Sequence, residues 1–202
     1  MEKRSICHRG RLLAVALAAP LALSACEAVV ATGAATTGGV VVTQERSFED
    51  AVDDAAIETR ISYELYTNEV NKDLFVEVDV ESVEGRVLLT GSVRSPEDRI
   101  EAVRLAWQAK EVKEVINEIQ VTDAGGLTNY SRDVWITTRL RGKILLDKTI
   151  RGVNYNVDTV NGIVYLIGIA QDDAELSRVT QIARTISHVK KVVSHVRVLP
   201  PS

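Results

Sequence analysis

The chain has 202 residues, enough for one ordinary domain or two very small ones. Hydrophobic residues make up 46% and charged residues 26%, the mix of a globular protein, which excludes a disordered tail or a collagen. The formal net charge of −4 hides a division: residues 26–130 carry 9 Lys and Arg against 21 Asp and Glu, whereas residues 131–202 carry 11 against 6.

Residues 1–11 are basic, and the apolar run "LLAVALAAPLAL" that follows is too short to span a bilayer as a stable helix but suits a secretory signal. The run ends in Leu23-Ser24-Ala25-Cys26, which looks like a bacterial lipobox: small residues ahead of a cysteine that is diacylglycerated, freed by cleavage and then N-acylated. Residues 1–25 are therefore expected to leave as a signal peptide, taking Cys7 with them. Cys26 is then the sole cysteine, so no intramolecular disulfide forms and the core alone must hold the fold. Three acyl chains on Cys26, palmitate among them, bury many CH₂ groups at about 0.8 kcal/mol each and make a lasting membrane anchor. Glu27 stands where Asp signals retention at the inner membrane, so by resemblance to sorted lipoproteins the chain is expected on the outer membrane, facing the periplasm. Residues 26–48 are rich in Ala, Thr, Gly and Val and read as a flexible tether reaching roughly 25–30 Å.

Beyond the tether the sequence repeats. At a shift of 77, "VEGRVLLTG" (83–91) lies on "VNGIVYLIG" (160–168) and "LAWQAKEVKEVINEIQV" (105–121) on "IARTISHVKKVVSHVRV" (182–198). Upstream, "IETRI" (57–61) matches "ITTRL" (136–140) at a shift of 79. Each unit reads as helix-strand-strand-helix-strand, with a first domain at 49–122, a linker at 123–131 and a second domain at 132–199. "FVEVDV" (75–80) alternates as a half-buried strand does, and Glu84-Gly85 and Asn161-Gly162 supply hairpin turns that need positive φ. "SPED" (95–98) opens the second helix with a Ser cap, Pro at its first position and acids in its first turn; Asp172 and Glu175 serve in copy two. A right-handed parallel crossover then gives each unit a small mixed three-stranded sheet covered on one face by two helices, an α+β fold.

This pattern resembles the BON domain, and two copies behind a lipobox and tether resemble the dual-BON outer-membrane lipoproteins. The pieces that carry the resemblance are "RSFEDAVDDAAIETRI", "GRVLLTG", "VINEI" and "DVWITTRLRGKILL". It implies two tandem BON domains acting as binding modules in the cell envelope, where fold alone does not name the ligand.

The helix around "RDVWITTRLRGKILL" (132–146) carries more bulky apolar residues than one buried stripe uses. On a wheel of about 100° per residue, Ile136, Leu140 and Ile144 form the core stripe, repeated as Ile57, Ile61 and Leu65. Trp135, Leu145 and Leu146 fall outside it, with Thr138 and Gly142 between them and Arg139 and Arg141 at the edges. Copy one carries Ala56, Tyr66, Thr67, Thr59, Tyr63, Arg60 and Ser62 instead. Indole at headgroup depth, leucines at the acyl boundary and guanidinium on phosphate suit a membrane interface. The resemblance implies that this helix binds anionic phospholipid such as phosphatidylglycerol or cardiolipin; Lys143 stands where the resembling proteins carry a polar neutral residue. The charge division fits an anionic partner for the second copy. The alternative is that Trp135 packs beneath the sister unit or linker and that the charges set how the units pack.

Enzyme chemistry is not expected, because convergent titratable groups are few. His188 and His195, spaced to lie on opposite faces of a strand, are read with Lys190, Lys191 and Arg197 as a basic strand surface rather than metal ligands. Asp53-Asp54 and Asp172-Asp173 are read as acids at helix starts. Neither cofactor nor metal is expected, and export argues against nucleic acid. The competing role is a protein–protein adaptor, with exposed Tyr63 and Tyr66 on the acidic copy docking on outer-membrane assembly or cell-wall remodelling machinery.

Overall fold

A computed structural model describes residues 48–68, 73–123 and 129–200; the signal sequence, Cys26 and nearly all of the tether lie outside them. The first domain runs α1 (Phe48–Thr67), α2 (Leu74–Glu77), β1 (Val78–Val83), β2 (Arg86–Val93), α3 (Pro96–Ala106), β3 (Glu114–Asn117) and β4 (Gln120–Val121). The second runs α4 (Tyr130–Leu146), a 3₁₀ turn (Gly152–Asn154), β5 (Tyr155–Val160), β6 (Ile163–Ala170), α5 (Asp173–Arg184) and β7 (Lys191–Val198). Both are α+β units with a mixed sheet: an antiparallel hairpin (β1–β2, β5–β6) whose second strand pairs in parallel with the strand after the crossover helix.

The hairpin turns take positive φ at both central residues, Glu84 and Gly85 in one copy and Asn161 and Gly162 in the other. Glycine is needed for a second reason: a Cβ on Gly85 would stand 2.8 Å from the Glu111 carbonyl oxygen, and one on Gly162 2.9 Å from that of His188. Ser95 accepts from the Asp98 N–H and Asp172 from the Glu175 N–H, capping α3 and α5 at the residues whose chemistry predicts it.

The two helical stripes are core. Ile57, Ile61 and Leu65 pack on Val78, Val87 and Leu89, and Ile136, Leu140 and Ile144 on Val157, Val164 and Leu166; all are buried. Each such burial contributes roughly 2 kcal/mol.

Four expectations need correction. Phe75–Glu77 of the predicted strand belong to α2, because the Asp73 carbonyl accepts from the N–H of both Val76 and Glu77 and buries Leu74; the strand starts at Val78. The third strand of the first domain is broken between Asn117 and Gln120, where the Asn117 side chain takes the Ile119 N–H, so β3 and β4 pair separately with β2 and the sheet has four strands. Asp53 and Asp54 do not start a helix: α1 already begins at Phe48, and Asp54 is buried, accepting from Ser82 Oγ and the Glu84 and Gly85 N–H groups. His188 precedes β7 in a left-handed turn (φ 72°), so the two histidines do not share a strand.

The sheet faces opposite the helices pack on each other. Val83 and Leu88 of one domain join Val160, Tyr165, Ile167 and Ile169 of the other in a third apolar cluster. Around it run cross-domain polar contacts: Arg197 pairs with Glu84, His195 Nε2 lies 2.9 Å from Glu118 Oε1, and Arg86 donates to the His195 carbonyl at 2.9 Å. The expected basic strand surface is thus partly consumed, since His195 and Arg197 face the sister domain.

Candidate functional site

α4 is fixed on the sheet by its buried stripe and by Asp133, which accepts from the Asn161 and Gly162 N–H groups at 2.7 and 2.9 Å. What this leaves outward is two neighbouring ridges at helical spacing. Trp135, Arg139, Gly142 and Leu146 form the first; Val134, Thr138, Arg141 and Leu145 form the second.

The first ridge faces solvent. Trp135 is 46% exposed and Leu146 84%. The Arg139 guanidinium stands over the indole, 6.0 Å from its centroid, and Lys143, one turn further along the same side, reaches Thr185 Oγ1 at 3.5 Å. A Cβ on Gly142 would meet nothing within 4 Å, so nothing crowds the middle of the ridge. His188, which the helix alone does not reveal, packs edge-on against Trp135 with centroids 6.3 Å apart.

The second ridge turns toward the first domain. Arg141 donates to the Val157 carbonyl at 2.7 Å and stands 3.6 Å from Glu81 across the seam. With Val134 and Thr138 it lines a groove of about 500 Å³ whose far wall includes Val76, Asp79 and Glu81. Leu145 stays exposed at the end of this ridge. The structure therefore brings Trp135, Arg139, Gly142 and Leu146 together, sets Thr138, Arg141 and Leu145 beside them, and gives Arg141 a partner in the sister domain.

The equivalent helix of the first domain is a different surface. Arg60 lies 5.9 Å over the Tyr63 ring but is paired with Glu64 at 2.6 Å, and Tyr66 packs edge-on against Phe75, with both tyrosines exposed. Trp107, just past the end of α3, is also about half exposed.

Electrostatics at the seam repeat the duplication imperfectly. At the shift of 77, Asp79 corresponds to Asn156 and Glu81 to Asp158. Asn156 donates to Glu81 at 2.6 Å, whereas the counterpart pair is two carboxylates, Asp79 and Asp158. Burial, then Asp158, pushes the Asp79 carboxyl up to about 6; burial, then Glu58, pushes Glu81 up to about 7 against the pull of Arg141. Both values lie above those of the unfolded chain, so the folded protein binds extra protons from about pH 4 to 7 and loses stability as pH rises through that window. Asp79→Asn, which installs copy two's own residue, is expected to raise the melting temperature at pH 7.5 by roughly 3 °C and to flatten its fall between pH 5 and 7.5. That corresponds to about 1 kcal/mol, discounted for the exposure of Asp79. An equal or lower melting temperature at pH 7.5 contradicts the like-charge reading.

Comparison with known proteins gives the following. The family model described as "BON domain" matches residues 53–123 and 132–200. The chain is 44% identical over 147 residues to an Anaplasma centrale protein, "Uncharacterized protein in gshII 5'region", covering 72% of this chain and 95% of that one. It is 33% identical over 186 residues to "Outer membrane lipoprotein DolP" of Haemophilus influenzae, covering 90% and 92%. It is 29% identical over 143 residues to "Osmotically-inducible protein Y" of Escherichia coli, covering 70% of each.

Proposed function

The chain belongs to the BON domain family, and from that membership we propose that it is an acylated outer-membrane lipoprotein, facing the periplasm, whose second domain binds anionic phospholipid. The observation that carries the reading is the first ridge of α4: a half-exposed indole beside an exposed leucine, flanked by Arg139 and Lys143 on a domain of positive charge. An apolar ring that settles among headgroups while cations meet phosphate is the arrangement that holds a protein at an anionic surface, each cation there contributing about 1 kcal/mol. The tether from Cys26 keeps the domain at high effective concentration over the bilayer, so weak docking suffices. The anchor sets that the protein is on a membrane; the helix sets where, favouring patches rich in phosphatidylglycerol or cardiolipin such as the division septum, in support of envelope integrity. The name of the Haemophilus influenzae relative supports the outer-membrane placement.

A second reading rests on a different surface. Tyr63, Tyr66, Phe75 and Val76 are exposed on the acidic first domain and suit a protein partner in outer-membrane assembly or cell-wall remodelling.

Tryptophan fluorescence tests the lipid reading. In a chain carrying Trp107→Phe, to leave Trp135 as the sole indole, and Cys26→Ser, to remove the anchor, vesicles of phosphatidylglycerol or cardiolipin should shift emission to the blue. Phosphatidylcholine vesicles should not, and raised salt should reverse the shift. Emission unmoved by anionic vesicles leaves the adaptor reading in its place.

A further inference from the structure

His188 meets Trp135 from outside its own helix. Its position is imposed by the backbone: the left-handed turn places its carbonyl against the hairpin tip at Gly162, and the next-but-one residue, Lys190, donates its N–H to the Gly162 carbonyl at 2.8 Å. The imidazole is exposed and lies edge-on to the indole. In the first domain the same left-handed position is Glu111, which lines a recess with Ala56 and Arg60, the counterparts of Trp135 and Arg139. The duplicated frame thus puts a carboxylate beside one helix and an imidazole beside the other.

Each element around this ring pair carries charged groups. α4 supplies Arg139 over the indole, Lys143 at Thr185 and Asp133, whose oxygens are taken by the hairpin N–H groups. The segment leading into β7 supplies Lys190, whose Nζ donates to the Asn161 carbonyl at 2.8 Å, and α5 ends with exposed Arg184. Histidine is the side chain whose charge changes between pH 5 and 8. Protonated, it adds a cation and two N–H donors to a surface already cationic and apolar; neutral, it offers phosphate a single uncharged N–H.

We propose that His188 is part of the lipid-facing surface and that its protonation strengthens the hold of the Trp135 ridge on phosphate headgroups, tight at mildly acidic pH and weaker above neutrality. This rests on the lipid reading above and adds to it a residue and a proton dependence.

The test uses the Trp107→Phe, Cys26→Ser chain. Without lipid, emission of Trp135 is expected to fall as pH drops from 8 to 5, because an adjacent imidazolium quenches the indole, and His188→Gln should flatten that titration. With phosphatidylglycerol vesicles, affinity at pH 5.5 should exceed that at pH 7.5 by about fivefold, the effect of one added cation near an anionic surface. His188→Gln should reduce that ratio toward one, and His188→Arg should bind tightly at both pH values. Asp79 and Glu81 also change charge in this range, but they remain in His188→Gln, so the difference between the two chains isolates the imidazole. Binding that keeps its full pH ratio in His188→Gln, or has none in the parent, overturns the proposal and leaves lipid binding standing. No binding at either pH removes both.

Discussion

Trp135→Glu is expected to abolish binding of the Cys26→Ser chain to phosphatidylglycerol vesicles while leaving its circular dichroism spectrum unchanged. The substitution removes an aromatic anchor, roughly 2 kcal/mol of burial, and introduces a charge of the wrong sign, about 1 kcal/mol more. Together these weaken binding by more than a hundredfold. Folding is spared because nearly half of the indole already faces water and the side chain belongs to none of the apolar clusters. Trp135→Phe should retain part of the affinity, since it keeps an apolar ring but loses the indole N–H. Arg141→Glu separates the two ridges: Arg141 stands beside Glu81, so this change sets two carboxylates together at the domain seam and should lower the melting temperature as well as lipid affinity. Vesicle binding by Trp135→Glu at parental strength would remove the ridge from any role at the membrane.

Much of the fold was legible because it is written in short-range patterns and then written twice. The helical stripes at Ile57, Ile61, Leu65 and Ile136, Leu140, Ile144, the positive-φ hairpins and the Ser95 and Asp172 caps each depend on a few adjacent residues. The packing of the two domains depends on residues far apart, yet a signal for it existed. β6 reads "IVYLIGIA" and is buried on both faces for seven of its eight residues. Such a continuous apolar run belongs to a strand covered on both sides, not to one with a wet face. The helices cover one side, and only a sister sheet could cover the other. The site was legible in part for a related reason. A wheel places Trp135 and Leu146 away from the core, but it cannot tell which outer ridge meets the neighbouring domain, so Arg139 and Arg141 look alike until Glu81 is placed. His188 lies more than fifty residues from Trp135, and only the left-handed turn brings their rings together.

The largest stability loss is expected at the residue whose role the sequence concealed. Asp54→Ala removes the acceptor of three hydrogen bonds, from Ser82 Oγ at 2.8 Å, the Glu84 N–H at 2.8 Å and the Gly85 N–H at 2.9 Å. The two N–H groups belong to a turn with positive φ, where no strand partner can replace the carboxylate. Stranding buried donors costs about 1–3 kcal/mol each, so the loss is expected at roughly 4 kcal/mol, lowering the melting temperature by about 10 °C. Asp54→Asn should recover part of the loss: its amide oxygen can take the bonds from Ser82 Oγ and the Gly85 N–H, which share one carboxylate oxygen, but its NH₂ then faces the Glu84 N–H. Ser82→Ala, which removes the hydroxyl that donates to Asp54 but leaves the carboxylate in place, should cost only about 1 kcal/mol. Because the sheet faces of the two domains share one apolar cluster, the effect should not stop at the first domain. In an Asp54→Ala, Trp107→Phe chain the emission of Trp135, in the other domain, is expected to report the lowered transition. Loss of first-domain structure with the Trp135 transition unmoved would mean that the seam does not couple the two units.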